Sequence, residues 1–295
     1  MLEFIVFSDI QFYNNPNRRY IRDDGLSSWL WEQLRIVEQI FQYAVDNNVK
    51  MVIFNGDLFE EKNNINTRLY NRVWELFYRW SEFLRIVMNT GNHDFYTLSR
   101  DSSLKPFSTF AEIASVPSDL PISGPYVVRL IPYGMVTEDT LQRPEGYEKC
   151  ILFTHEEING LTLGPTDFSK DTNLTIDMFS EWDVVFNGHI HKPQDVGNIV
   201  NIGSPMIQDF GEAGETKRFI HYRDGEIKSI KIDCPQFVIL DGLNDRILKV
   251  ISEDDRNFYR IDIDSTEIGN PIFDKFNVIP NIVKSRKRED GFWGS

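Results

Sequence analysis

Leu84-Arg85-Ile86-Val87-Met88 is followed after two residues by Gly91-Asn92-His93-Asp94. The first stretch is apolar and of strand length, and the second gathers an amide, an imidazole and a carboxylate in three consecutive positions. The same sequence of events occurs four more times. Phe4-Ile5-Val6-Phe7 leads into Ser8-Asp9-Ile10-Gln11, and Met51-Val52-Ile53-Phe54 into Gly56-Asp57. Cys150-Ile151-Leu152-Phe153 leads into Thr154-His155-Glu156, and Val184-Val185-Phe186 into Gly188-His189-Ile190-His191. Four of the five histidines of the chain fall in these motifs. In open α/β sheets, residues beyond the carboxyl ends of strands converge on one crevice, so the repetition predicts a metal site assembled from loops.

Between the first three runs, Leu30, Leu34, Val37, Ile40, Phe41 and Ala44 recur at helical spacing, as do Leu69, Val73, Leu76, Phe77 and Trp80. The order is therefore strand, helix, strand, helix, strand. After Asp94 the chain becomes rich in proline until Tyr126-Val127-Val128. Arg218–Tyr222 and Glu226–Ile230 read as a hairpin about Arg223-Asp224-Gly225. A domain over 1–235 is expected, then a small accessory unit over 236–283 carrying a short helix and the strand Phe258–Ile263, then a basic tail over 284–295.

The 295 residues, 41% of them hydrophobic, suffice for a large core. Two distant cysteines, Cys150 and Cys234, make no disulfide framework. With no apolar run of bilayer-crossing length and no signal-peptide pattern, a soluble cytoplasmic protein without membrane contact is expected. The net charge of −14 opposes phosphate binding in general, although divalent metals would neutralise several of the acids. Arg18, Arg19 and Arg22 are candidate DNA contacts, weighed against a solvated loop. Trp29, Trp31, Trp74 and Trp80 are read as core packing, and His221, outside every motif, as structural.

The chemistry explains the residue types. Asp57 can bridge two metal ions with its two oxygens, and such a pair can activate water while stabilising the leaving oxygen. Mixed oxygen and imidazole donors suit manganese, iron or zinc better than calcium. Asn92 offers a neutral oxygen. His93 is placed to give a proton to the leaving alkoxide, with Asp94 holding its ring.

Together the five motifs resemble the calcineurin-like metallophosphoesterases, whose pattern is D-x-H, G-D, G-N-H-D/E, a lone His and G-H-x-H. Gly203-Ser204-Pro205 followed by Phe210-Gly211-Glu212 narrows the resemblance to the SbcD-type DNA repair nucleases. The resemblance implies a four-layer α/β/β/α sandwich and two divalent metals, Mn2+ first, with Mg2+, Fe2+ or Zn2+ as alternatives. Asp9, Gln11, Asp57 and His191 would surround one metal, and Asp57, Asn92, His155 and His189 the other. His93 would act in the transition state. Implied partners are DNA, an SbcC-like coiled-coil ATPase subunit gripped by the C-terminal tail, and a second copy of the chain. Gln11 departs from the pattern, which has histidine there. The alternatives are a phosphatase or small-nucleotide phosphodiesterase on the same scaffold, or a non-catalytic binding module with a degenerate metal site.

Overall fold

The computed structural model describes residues 1–15, 20–96, 101–162 and 172–283. The chain opens with β1 (Glu3–Phe7), α1 (Ser28–Asp46), β2 (Met51–Asn55), α2 (Thr67–Ser81) and β3 (Arg85–Asn89). Short strands follow at β4 (Phe95–Tyr96), β5 (Asp101–Ser102), β6 (Glu112–Ala114) and β7 (Ser118–Asp119). Then come β8 (Tyr126–Ile131), α3 (Glu138–Leu141), β9 (Lys149–Thr154), β10 (Val184–Asn187), β11 (Gln194–Val196) and β12 (Ile199–Asn201). The hairpin is β13 (Arg218–Arg223) with β14 (Glu226–Lys231). The accessory unit holds β15 (Phe237–Asp241), α4 (Asp245–Glu253), β16 (Phe258–Ile263) and β17 (Val278–Ile282).

Two six-stranded sheets form the body, ordered β14-β13-β1-β2-β3-β6 and β11-β12-β10-β9-β8-β7. The strands that lead into the five motifs are parallel to their motif-bearing neighbours: β1 to β2, β2 to β3, and β9 to β10. Alternation along each strand, period two, sends side chains to opposite faces. Phe4, Val6, Ile53, Val87, Phe153 and Phe186 meet between the sheets. Ile5, Phe7, Val52 and Phe54 face the helices α1 and α2. Cys150, Leu152 and Val185 face outward under a thin layer made by Phe179, Trp182 and Leu141. The sandwich is thus α/β/β with a fourth layer that, among the described residues, consists of α3 and a 3-10 turn at Ile176–Phe179.

Each long helix starts where a polar side chain satisfies first-turn amides: the Ser27 hydroxyl accepts from Leu30 N, and Asn66 Oδ1 from Arg68 N and Leu69 N. The face of α1 that enters the core carries Leu30, Ile36, Val37, Ile40, Phe41 and Ala44. The hairpin turn is Asp224-Gly225, both at positive φ (46° and 101°), the conformation a two-residue turn requires. Its first strand pairs antiparallel with β1, which closes the first sheet across more than 200 residues of sequence. Trp29 and Trp80 pack inward, whereas Trp31 is 40% exposed, with the Arg22 guanidinium 5.0 Å from its ring centre.

The accessory unit has three parallel strands where one was expected. β15 and β17 escape notice because each mixes exposed and buried positions, and β17 carries Pro280 and Asn281 in an edge strand, where a missing N–H is tolerated. Phe237 and Phe258 join this unit to the body by packing on Trp29. No helix among the described residues is long and apolar enough to cross a membrane. The tail 284–295, with Lys284, Arg286, Lys287 and Arg288, lies outside the described residues.

Candidate metal centre

All five motifs arrive at one edge of the sandwich, because each follows the carboxyl end of a parallel strand. Getting there forces the backbone into rare conformations. Asp9, Gln11, Asp57 and His189 all lie at positive φ, between 46° and 75°, which costs a non-glycine residue of order 1–3 kcal/mol and persists only where surrounding contacts hold it.

Those contacts are visible. Gln33, fully buried on α1, donates its amide to the carbonyls of Ile10 and Gln11 and accepts from Tyr13 N, so one side chain clamps the loop after β1. The Asp94 carboxylate accepts from the backbone N–H groups of Asp57, Leu58 and Gly91 at 2.8–2.9 Å, fastening the loops after β2 and β3 together. Gly91 makes this approach possible, since a Cβ there would lie 2.6 Å from Asp57 N and 2.8 Å from His155 Nε2. Beneath the loops, Asn55, Asn89, Asn187 and Asn201 each end a strand and are fully buried. Two of their amides cross between the sheets, Asn55 donating to Thr154 O and Asn89 to Ile131 O, while Asn89 also donates to Asn55 Oδ1 within the first sheet and Asn187 to Asn201 Oδ1 within the second.

His155 Nδ1 lies 2.7 Å from Asn55 O, and a carbonyl can only accept, so Nδ1 carries the proton. Its Nε2 is therefore left facing Asp57 Oδ1 at 3.3 Å and Asp9 Oδ1 at 3.7 Å, fully buried and without a hydrogen-bond partner. Asp57, His155 and His189 offer donor atoms all within 4.8 Å of one another. His189 Nδ1 is 2.9 Å from Asn92 Oδ1, and its backbone N–H reaches both oxygens of Asp9. His191 turns Nδ1 to Glu212 Oε1 at 3.2 Å, which leaves Nε2 as the ring atom a metal could use. Glu212 in turn accepts from Gln208 N and pairs with Lys217, a lysine whose side chain has no exposure.

The electrostatics ask for a cation. Burial opposes charge on His155, yet Asp57 and Asp9 raise its pKa to about 10. Burial is overcome likewise at Asp57, which His155 and His93 hold well below the usual carboxylate range, while burial raises Asp9. His189 is lowered to about 4 by burial and by His155. Positive charge between two buried aspartates is thus demanded, and a divalent ion bound by imidazole, carboxylate and amide oxygen would supply it. The buried unpartnered Nε2 and the donor set fit such an ion.

Two sequence expectations change. Asp94 does not hold the His93 ring: its oxygens are taken by three backbone amides, and His93 Nδ1 instead lies 2.7 Å from Glu60 O. Gln11 reaches the centre, but with Nε2 directed at Asp57 Oδ2 at 3.4 Å, because a carboxylate opposite an amide attracts its N–H end and not the ligating oxygen. Arg22 sits beside Asp24 and Trp31, away from these groups, and Arg18 and Arg19 lie outside the described residues. His221 bridges Tyr43 and Glu3, remote from the centre.

Sequence reading missed Gln33, Glu212 and Lys217 as supports, and Tyr133, whose ring lies 5.7 Å from that of His189. The loop carrying Tyr133 is held by Glu156, which accepts from Gly134 N at 2.6 Å. A cleft of about 330 Å3 opens beside the centre, bordered by Gln11, Tyr13, Glu60, His191, Gln208 and Asp209.

A profile of the calcineurin-like phosphoesterases matches residues 2–193. No curated protein matches. Among solved structures, the chain is similar to a dimetal phosphatase from Danio rerio at 11% identity and a TM-score of 0.46, covering 74% of this chain and 91% of that one. It is similar to TT1561 of Thermus thermophilus at 12% identity and 0.43, covering 78% and 98%. It is also similar to the nuclease MPE of Pseudomonas putida at 11% and 0.34, covering 77% and 72%. With the profile spanning well over half its length, the chain belongs to the calcineurin-like phosphoesterase family, whose chemistry is metal-dependent phosphoester hydrolysis.

Proposed function

We propose, starting from that membership, that the protein hydrolyses phosphodiesters of DNA as the nuclease subunit of an SbcCD-like repair complex. The observation that carries the diester assignment is the charge of the cleft. Among the described residues, its wall holds Glu60 and Asp209 and neither lysine nor arginine. A monoester dianion would meet repulsion from those two carboxylates, whereas a diester brings a single charge for the metals to take up. Asp9, Gln11, Asp57 and His191, with Asn92, His155 and His189, would hold the metals; the donor set suits manganese, iron or zinc, and the resemblance to SbcD-type nucleases puts Mn2+ first. The bound ions supply an activated water and stabilise charge on the phosphoryl oxygens.

The chain's own residues do the rest. His93, its Nδ1–H committed to Glu60 O, presents Nε2 to the leaving oxygen as proton donor. Asp94 keeps Asp57 and the Gly91–His93 loop in register. Glu212 fixes the ring of His191, which gives the Phe210-Gly211-Glu212 motif shared with SbcD-type nucleases a physical role. The ATPase partner would engage the tail 284–295, and the chain would pair with a second copy.

The lack of basic residues among the described residues of the cleft wall favours one competing reading, a small-nucleotide phosphodiesterase, because DNA affinity draws on lysine and arginine contacts. The test compares native protein with His93→Ala on linear double-stranded DNA in manganese. Nucleotide release that the variant loses supports the nuclease. Turnover of bis-p-nitrophenyl phosphate without DNA cleavage transfers the assignment to small diesters.

A further inference from the structure

Tyr13 forms one wall of the metal-side cleft and, with its other side, one wall of a second cavity of about 150 Å3. The floor of that cavity is apolar: Phe12, Phe59 and Leu69 are all buried. Its rim is polar and mostly amide, with Asn14, Asn64 and Asn66 beside Glu61. Two of those amides have their oxygens in use, Asn14 Oδ1 on Ser27 N and Asn66 Oδ1 on the first turn of α2. Their N–H ends remain as donors, while the Glu61 carboxylate is an acceptor. Among the described residues, no lysine or arginine borders the space. A flat apolar floor with donors and an acceptor at its edge, and no cation, suits a neutral planar heterocycle and not an anion.

We propose that this cavity is a nucleobase subsite, filled by the base of the nucleotide whose phosphate lies on the metals, with Tyr13 as the stacking wall. The proposal rests on the phosphodiesterase reading above. Three features place base and phosphate in one frame. Gln11 and Tyr13 belong to one loop, and Gln33 clamps both ends of it. The loops after β1 and β2 run side by side, with Phe12 N bonded to Leu58 O and Glu60 N to Phe12 O. Glu60 O orients His93, and Glu61, the next residue, borders the cavity. The backbone that carries Tyr13 is thus held before any ligand arrives, so stacking costs the ordering of one side chain and not of the loop. A base can enter only when unpaired, so the subsite selects frayed or single-stranded nucleotides over an intact duplex.

The experiment measures binding of deoxyadenosine 5′-monophosphate and of deoxyribose 5-phosphate to manganese-loaded protein by calorimetry. The nucleotide is expected to bind roughly tenfold more tightly than the abasic sugar phosphate, within the range one stacked base contributes. Tyr13→Ala should bring that ratio to about one, Tyr13→Phe should preserve it, and Asn64→Ala, an exposed rim change that leaves folding alone, should reduce it severalfold. A ratio near one in the native protein, or one that survives Tyr13→Ala, overturns the subsite. Failure of both compounds to bind, with bis-p-nitrophenyl phosphate untouched, would instead sink the phosphodiesterase reading beneath it.

Discussion

Replacing Asp94 by asparagine separates a structural from a catalytic role for that carboxylate. Its Oδ2 receives Asp57 N and Gly91 N, and its Oδ1 receives Leu58 N. Asparagine can keep the first pair on its single carbonyl oxygen, but then turns an N–H2 group toward the Leu58 N–H. The Leu58 N–H and the new N–H2 group face each other as donors, and an unsatisfied buried donor costs about 1–3 kcal/mol, while two charge-assisted bonds become neutral ones at about half the strength. Against that, burial and the neighbouring Asp57 push the Asp94 carboxyl up to about 7, so removing its charge relieves some repulsion. The net loss expected is roughly 2–4 kcal/mol, a large share of the ~5–15 kcal/mol that holds a domain folded. Urea unfolding at pH 8 in chelator measures it free of metal. Because Asp94 fixes the amides of Asp57 and Gly91, metal affinity should fall as well, while kcat for bis-p-nitrophenyl phosphate at saturating metal stays close to native. Unchanged stability with a kcat lowered as far as in His93→Ala would refute this reasoning and return Asp94 to the side of the imidazole.

Three further outcomes are expected. Gln11→His replaces an amide that presents its N–H2 with an imidazole lone pair and should tighten metal binding; a titration showing unchanged affinity removes residue 11 from the ligand set. His93→Ala forfeits one bond to Glu60 O, so it should lower kcat by about 10²–10⁴-fold with little change in unfolding midpoint; a variant that keeps native kcat removes His93 from the chemistry. In the accessory unit, burial works against ionised Asp254, but Tyr259 and the amides of Arg256 and Asn257 hold its pKa below the ordinary value. A depressed carboxylate adds stability above its unfolded pKa of about 3.9 and loses it as pH falls through the folded value. Hydrogen exchange at Tyr259 should therefore quicken below about pH 4 in the native chain and lose that acid dependence in Asp254→Asn.

The sequence made the central strands and the motif loops legible because the apolar runs are continuous and the glycines, histidines and acids that follow them belong to no core. Pairing of β13 with β1 was illegible, since contact over such separation leaves no local pattern. The supports were hidden for a different reason. Gln33 sits on the buried face of an amphipathic helix, where a polar residue reads as an interruption, and Lys217 looks like any surface lysine until Glu212 and Glu215 close around it. The Asp94 error had a physical origin too: adjacency in sequence to His93 suggested contact, but successive residues on this tight loop point apart. Four asparagines, at 55, 89, 187 and 201, each closing an apolar run, were a recurrent signal that could have been noticed.

Those asparagines bear on the order in which the molecule is made. Asp9, Asp57 and Asn92 come from loops of the first sheet, and His155, His189 and His191 from loops of the second. Either sheet alone carries half a set of donors, and the bonds from Asn55 to Thr154 O and from Asn89 to Ile131 O that join them form only when the two faces have met. Capacity for metal therefore requires the docking of one sheet upon the other. A nascent chain released before residue 191 cannot complete the centre, so a half-made enzyme is a chemically silent one.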